Sequence, residues 1–407
     1  METSRVNEPG TLRVGFLTYD LQEATADCLS RVARAIRPAE LRAYPVLRRV
    51  AADRVDFAYR PSRLEGASLL VSAPDSTPEG FTSTINWGAA RACARESDVV
   101  VLFGLQGGTA LVTAALARLR GRPVVSVNQT LPPDAERRRR WWVRLLKGWL
   151  LRRCAVHVVQ TPVSRDTLRE VYGLDPATFV DAPFESGAAV FQSLYAGVTE
   201  SREAIRAFFG WPPDACVFLF VGNMVRFKGV ETVLDAAAGL KSKTNAAFRV
   251  VFLGPESNAP GEPRLDDYRS RAAAAGLSGV VEIAGNRPLA ELARAYRAAD
   301  ALVLPTRKDC WPKVLVEGAL AGLPLVTTTA CGAAGSLVRD GETGVLVPPG
   351  DPAALAAAMD RLLDPALRAR LGAGAREAAG TFCDSRLEAD GFARAVARAA
   401  GRSGGAA

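Results

Sequence analysis

The sequence contains a single histidine in 407 residues. That residue, His157, sits inside the apolar run AVHVVQ and reads as a satisfied core side chain. Chemistry that needs a histidine base is therefore set aside. No run approaches the roughly 18 apolar residues of a membrane-spanning helix. The opening METSRVNEPG is polar and lacks the apolar stretch of a secretory leader. These absences point to a soluble or membrane-surface protein of the cytoplasm. The cysteines are Cys28, Cys93, Cys154, Cys216, Cys310, Cys331 and Cys383, and no pair has C-x-x-C spacing. Most fall in apolar runs and read as buried thiols. Cys310 lies in a loop singled out below, and packing is the expected role there too. The phosphate loop G-x-x-x-x-G-K-[ST] is missing, and the first strand runs into FLTYDLQEAT rather than G-x-G-x-x-G. That counts against a nicotinamide or flavin enzyme.

What is present is apolar substance and one localised charge. Apolar residues make up 48% of the chain, enough to core two domains at this length. The formal net charge is +8. Residues 137–153, RRRRWWVRLLKGWLLRR, hold eight basic residues and no acid, a charge equal to that of the whole chain. The remainder is close to neutral, so a nucleic-acid-binding surface is not indicated.

Short apolar, β-branched runs alternate with longer helical patterns. The first half has them at 12–18, 67–73, 98–103, 123–128, 155–160 and 178–182, the second at 216–222, 248–254, 280–285, 301–306, 323–328 and 344–348. Each is continuous rather than alternating, as in strands covered on both faces. The fold class is therefore α/β, with two doubly wound Rossmann-like domains facing a cleft. The expected division is 1–198, 199–384 and a C-terminal helix and tail at 385–407 that could return to the first domain. Ligands of such sheets sit at the carboxyl ends of the strands.

Three segments follow strands in the second half. In the run Pro305–Glu317, Asp309 lies in a loop and Glu317 about one turn into a helix that begins near Lys313. A helix start offers backbone N–H groups to a diphosphate, and the two carboxylates could then grip hydroxyls on either side. The same residues would also make a capped helix with solvated acids. GNMVRFKG, Gly222–Gly229, puts Arg226 and Lys228 on a glycine-flanked loop. These cations suit a leaving diphosphate, and equally a solvated basic turn. The third segment, Thr327–Ser336, is rich in small residues that let a backbone approach a ligand, or that simply form a loop.

GNMVRFKG, then ALVLPT with Asp309 and Glu317 behind it, then LVRDGETGVLVPPGDP, occur in one order after matching strands. This set resembles the retaining family-4 glycosyltransferases of GT-B architecture. The resemblance implies a hexosyltransferase using a nucleoside-diphosphate sugar, UDP by default and GDP as the other choice. It implies that Glu317 holds the nucleotide ribose, Asp309 the hydroxyls of the transferred sugar, and Lys228 the diphosphate. Gly222, Asn223, Lys313 and Val314 join the nucleotide-sugar site, and Arg226 is expected to supply the charge that relatives carry at the position of Asn223. Pro312 stands where relatives have Gly and removes one backbone donor; Ser336 stands where they have an acid. No D-x-D triplet occurs, so no essential metal and no cofactor are expected. A non-catalytic sugar-nucleotide-binding protein remains an alternative, as does an epimerase of the same fold. A pyridoxal-phosphate-dependent phosphorylase is disfavoured, because no lysine site for that group is evident.

The first domain is then the acceptor domain, with Gln106, Gly107, Gly108 and Asn128 at strand ends as expected contacts. Within 137–153, Trp142, Leu145, Leu146 and Trp149 share one helix face, and Arg137, Arg140, Arg144 and Lys147 the opposite one. This suits a peripheral membrane contact through Arg140, Trp142, Arg144, Lys147 and Trp149. It also suits a surface helix whose apolar face packs on its own sheet. The expected partners are a nucleotide sugar, a small-molecule or lipid-linked acceptor and a membrane surface at its inner face. A phosphoglycolipid antibiotic precursor would satisfy both acceptor hints.

Overall fold

Continuous apolar runs become parallel strands because both of their faces need cover. In the computed structural model the described residues are 11–18, 23–45, 67–69, 85–103, 105, 107–183, 188–257, 259–382 and 384–401. The chain clusters into two units, Met1–Phe184 with Asp384–Ala407, and Glu185–Cys383.

The first unit carries strands β1 (Arg13–Thr18), β2 (Glu40–Pro45), β3 (Ala67–Leu69), β4 (Val99–Phe103), β5 (Val124–Asn128), β6 (Val156–Val159) and β7 (Phe179–Asp181). They form one parallel sheet in the order β3-β2-β1-β4-β5-β6-β7. Its helices are α1 (Glu23–Ala35), α2 (Trp87–Glu96), α3 (Gly108–Leu119), α4 (Pro133–Arg137), α5 (Trp141–Leu151) and α6 (Pro162–Glu170). Strand β2 is absent from the sequence reading. Its run ELRAYP interleaves Glu40 and Arg42 with apolar residues, and those two side chains pair with each other at 2.9 Å. Helix α6 starts where Thr161 accepts from the Ser164 N–H and Pro162 fills the first turn.

The second unit carries α7 (Ala188–Ala196), α8 (Arg202–Phe209), β8 (Cys216–Val221), α9 (Val230–Lys241), β9 (Phe248–Leu253), α10 (Leu265–Ala274), β10 (Val281–Gly285), α11 (Leu289–Ala298) and β11 (Ala301–Leu304). It continues through α12 (Lys313–Leu320), β12 (Leu325–Thr328), β13 (Gly344–Val347), α13 (Pro352–Arg361) and α14 (Pro365–Phe382). The sheet order is β10-β9-β8-β11-β12-β13, again all parallel. Asp351 caps α13 through the Ala354 N–H at 2.9 Å, with Pro352 in its first turn. Helix α7, which lies ahead of the expected divide at 198, packs on α11 and α12 of this unit.

The last helix, α15 (Ser385–Ala399), belongs to the first unit and lies on α1, β5, β6 and β7. Phe392 enters the core, its ring centroid 5.7 Å from that of Phe16. Buried Glu388 pairs with Arg31 at 2.9 Å. Truncating a buried phenylalanine removes transfer energy and leaves a cavity, so Phe392→Ala should cost about 3–5 kcal/mol. Chemical denaturation followed by circular dichroism reads this as a lower midpoint. An unchanged midpoint would mean that α15 contributes nothing to that core.

Candidate functional site

In the second sheet the strand order reverses between β8 and β11. Both strands end on the same side because they are parallel, and the loops that follow them meet there. Gly229 ends a short 3-10 turn, Arg226–Lys228, with φ at 85°. A Cβ on Gly229 would stand 2.3 Å from the Pro305 carbonyl oxygen, so only glycine lets the β8 loop touch the end of β11. The Arg307 N–H donates to the Phe227 carbonyl at 2.7 Å, and Thr306 Oγ1 donates to the same oxygen at 3.1 Å. One strand further, Asp309 forms a parallel bridge with Cys331, and the Gly332 N–H donates to the Asp309 carbonyl at 2.8 Å. A Cβ on Gly332 would lie 1.8 Å from the Cys310 carbonyl oxygen. Small residues in 327–336 thus serve close backbone approach.

This stitching brings Lys228 and Asp309 together. The ammonium donates to Asp309 Oδ2 at 2.5 Å, and both side chains remain partly accessible. Lys228 also lies 5.6 Å from the centroid of the Phe227 ring, and Lys308 lies 5.7 Å from it. Beyond the loop, Trp311 is buried edge-on against Phe382, with 5.5 Å between centroids. Pro312 then caps α12, whose first turn begins with Lys313 and Val314. A helix start leaves its first N–H groups outside the intrahelical ladder and carries the positive end of the dipole.

Glu317 lies four residues after Lys313 and is half-buried. Tyr296 of α11 donates its hydroxyl to Glu317 Oε2 at 2.7 Å. Burial pushes the Glu317 carboxyl above the ordinary glutamate value, against the Tyr296 hydrogen bond and the charge of Lys313. The same environment raises the Tyr296 hydroxyl, so it stays a donor. Tyr296 escaped the sequence reading. The only signal in ELARAYRAAD was a phenol on a packed helix face, which needs a hydrogen-bond partner once buried.

The other expected residues are distributed differently. Gly222 and Asn223 follow β8 directly, and Asn223 is exposed. Arg226 does not join Lys228. Its backbone N–H donates to Glu262 at 2.8 Å, its guanidinium donates to the Gly261 carbonyl at 2.8 Å, and Glu231 lies 3.7 Å away. The expectation that Arg226 adds charge at Lys228 is thereby corrected. Ser336 donates to the Ala333 carbonyl at 3.2 Å and closes a turn. Among the described residues no group of three or more His, Cys, Asp or Glu side chains is arranged to hold a metal.

In the first unit, Gln106 lies outside the described residues. Gly107 caps α3 with φ at 111°, and Gly108 begins that helix against Ile85. Asn128 is buried, and its amide donates to Ser126 Oγ at 2.9 Å and to the Ser126 carbonyl at 3.1 Å. That commits the side chain to the sheet and corrects its expected acceptor role. His157 lies 2.7 Å from Ser126 Oγ and is lowered to about 4 by burial, so it is a neutral core residue.

The segment 137–153 also departs from expectation. Lys147 turns inward, where its ammonium meets fully buried Glu136 at 2.8 Å. Burial would raise the Glu136 carboxyl, but Lys147, Tyr172 and Arg139 together hold it below the ordinary value. Lys147 is therefore removed from the expected membrane contacts. Arg144 donates to the Arg137 carbonyl, and Arg140 is the exposed cap of α5. Trp142 and Trp149 are exposed, so the apolar face does not pack on its own sheet. No helix among the described residues is long and apolar enough to cross a membrane.

The two sheets and the strand-end site define an α/β protein of the GT-B kind. Residues 201–378 match the family model for glycosyl transferases group 1. It is 35% identical over 222 residues to a D-inositol 3-phosphate glycosyltransferase of Acidothermus cellulolyticus, covering 54% of this chain and 48% of the relative. A protein of the same name from Kineococcus radiotolerans is 34% identical over 236 residues, 55% of this chain and 53% of the relative. The chain thus spans about half the length of the curated relatives it matches. The crystal structure of Anabaena HepE in complex with UDP-glucose shares the fold, with a TM-score of 0.70 and 16% identity over 95% of this chain and 99% of that one. WaaG, a glycosyltransferase involved in lipopolysaccharide biosynthesis, gives a TM-score of 0.62 and 18% identity over 90% of this chain and 95% of its own.

A group whose pKa is raised by folding binds its proton more tightly in the folded state. The stability it contributes is present at low pH and is lost as pH rises through the raised value. Glu317→Gln should therefore melt higher than the parent at neutral pH, with the difference vanishing on acidification. Paired melting curves across pH check this. A variant that melts lower at neutral pH would contradict the burial assigned to Glu317.

Proposed function

We propose that this chain is a retaining glycosyltransferase that moves a hexose-type sugar from a nucleoside-diphosphate sugar to a lipid-linked or natural-product acceptor. The observation that carries this reading is the Lys228–Asp309 pair beside the start of α12, with Glu317 one turn further along. The anomeric carbon of a sugar nucleotide is bonded directly to a phosphate oxygen. A cation for phosphate and a carboxylate for sugar hydroxyls must therefore be neighbours, as Lys228 and Asp309 are. Glu317 suits the ribose, because Tyr296 occupies one carboxylate oxygen and the other can accept from a ribose hydroxyl.

UDP is the favoured nucleotide, since HepE is described with UDP-glucose. The inositol-phosphate name of the relatives supports a polar, phosphorylated acceptor class. In the reaction the bond between the anomeric carbon and the phosphate oxygen breaks. The new bond to the acceptor oxygen forms on the same face, and the departing phosphate oxygen takes the acceptor's proton. Lys228 and the α12 amides of Lys313 and Val314 offset the charge on the leaving diphosphate.

Removing a group that stabilises developing charge costs about 100- to 1000-fold in kcat. Lys228→Ala should fall in that range, measured as UDP release from UDP-sugars with and without an acceptor panel. The UDP-induced rise in Tm should shrink in the same variant, because a ligand that binds only the folded state stabilises it. Parental turnover in Lys228→Ala would remove the assignment. UDP binding without turnover on any acceptor would favour a non-catalytic binding protein.

A further inference from the structure

Helix α5 is apolar nearly all round, and its two sides have different surroundings. Gly148, Leu150 and Leu151 are buried in the first unit, where Leu150 joins the sheet core and Leu151 packs with Tyr172 and Leu168. The inward side also takes Lys147, drawn by Glu136. The outward side is Trp141 (68% exposed), Trp142 (49%), Leu145 (62%), Leu146 (42%) and Trp149 (45%). At roughly 100° per residue these five fill one continuous arc of about 140°. An apolar stripe of that width normally faces a core.

The rim of this stripe is cationic. Arg138 and Arg140 are exposed at its N-terminal end, and Arg152 is exposed at its C-terminal end beside Arg153. Arg153 lies over the Trp149 ring at 3.9 Å. Among the described residues none of Arg138, Arg140, Arg144, Arg152 and Arg153 has an acidic partner. Arg118 donates to the Arg153 carbonyl at 3.0 Å, which brings the end of α3, with exposed Leu119 and Arg120, towards the same rim. Glu136, the acid that immediately precedes residues 137–153, is buried and spent on Lys147 and Arg139, and Asp134 and Glu170 pair with Arg137.

The geometry points to the outer face of α5 as the surface that seats this protein on an anionic lipid bilayer. Trp141, Trp142, Leu145, Leu146 and Trp149 enter the headgroup boundary, and the unpaired arginines meet lipid phosphates. Tryptophan is favoured at that depth because its ring is apolar and its N–H remains hydrated. The charge excess selects an anionic bilayer as the occupant, because a second copy of this chain would set five unpaired arginines against five more. This proposal stands apart from the donor reading, since α5 lies in the first unit and the donor residues lie in the second.

Cosedimentation with vesicles of phosphatidylglycerol and phosphatidylcholine tests it. The full chain should bind these vesicles, bind pure phosphatidylcholine weakly, and lose binding at high salt. Tryptophan emission should shift to the blue on binding. The triple variant Trp142→Ser, Leu145→Ser and Trp149→Ser should keep its Tm and partition at least about tenfold more weakly. Arg138→Gln with Arg140→Gln should reduce the preference for anionic vesicles. Equal partition of the triple variant, or no binding of the parent at low salt, would overturn the proposal. So would a dimer in lipid-free light scattering that the triple variant abolishes, which would give the face to a second copy. The UDP-induced shift in Tm reads the donor site in the same samples, so failure of either reading is visible without the other.

Discussion

The candidate site depends on Lys228 reaching Asp309 across the boundary between β8 and β11. The sheet is built outward from β8 to β10, and the chain then returns to lay β11 on the other side of β8. Helices following β8 and β11 leave on opposite faces of such a sheet, and a gap opens where the order reverses. Gly229 narrows that gap until the two loops share hydrogen bonds at Phe227. The lysine and the carboxylate are then held by backbone contacts on both sides rather than by each other alone. A pair 81 residues apart in the chain becomes a local feature of the sheet.

The parts of this arrangement were unequally legible in the sequence. Strands β8, β11 and β12 are unbroken apolar runs, so their ends, and with them Lys228, Asp309 and Glu317, could be located as loop or first-turn residues. The partnership of Lys228 with Asp309 could not, because it follows from strand order and not from spacing. Arg226 shows the limit in the other direction. Two residues from Lys228, it looks like part of the same cationic loop, yet the 3-10 turn sends its guanidinium to Gly261. Strand β2 was hidden because Glu40 and Arg42 break its apolar run.

Segment 137–153 illustrates a related blindness. Its composition announces an interfacial helix, and helical spacing correctly groups Trp142, Leu145, Leu146 and Trp149. Spacing alone also groups Lys147 with Arg137, Arg140 and Arg144 on the opposite, cationic face. Glu136, one residue before the basic run, decides otherwise. A carboxylate taken out of water needs compensating charge, and Lys147, Arg139 and the Tyr172 hydroxyl supply it. The buried acid thereby fixes the rotation of α5 and leaves its aromatic side facing outward. The exposed stripe is a consequence of that electrostatic anchor as much as of the apolar residues themselves.

The pairing of Lys228 with Asp309 does not disqualify the lysine as a phosphate ligand. An ammonium has three donors, and Asp309 uses one of them. The remaining donors can turn to phosphate while the carboxylate keeps the lysine oriented, so the pair need not open on binding. Glu317 follows the opposite logic. Its carboxyl is held above the ordinary value by burial, and each hydroxyl that donates to it favours the ionised form. Tyr296 supplies one such donor and a ribose would supply another. Under the proposed function, donor binding and loss of the Glu317 proton would be thermodynamically linked, and acidification should weaken the nucleotide at a pH above the ordinary glutamate range.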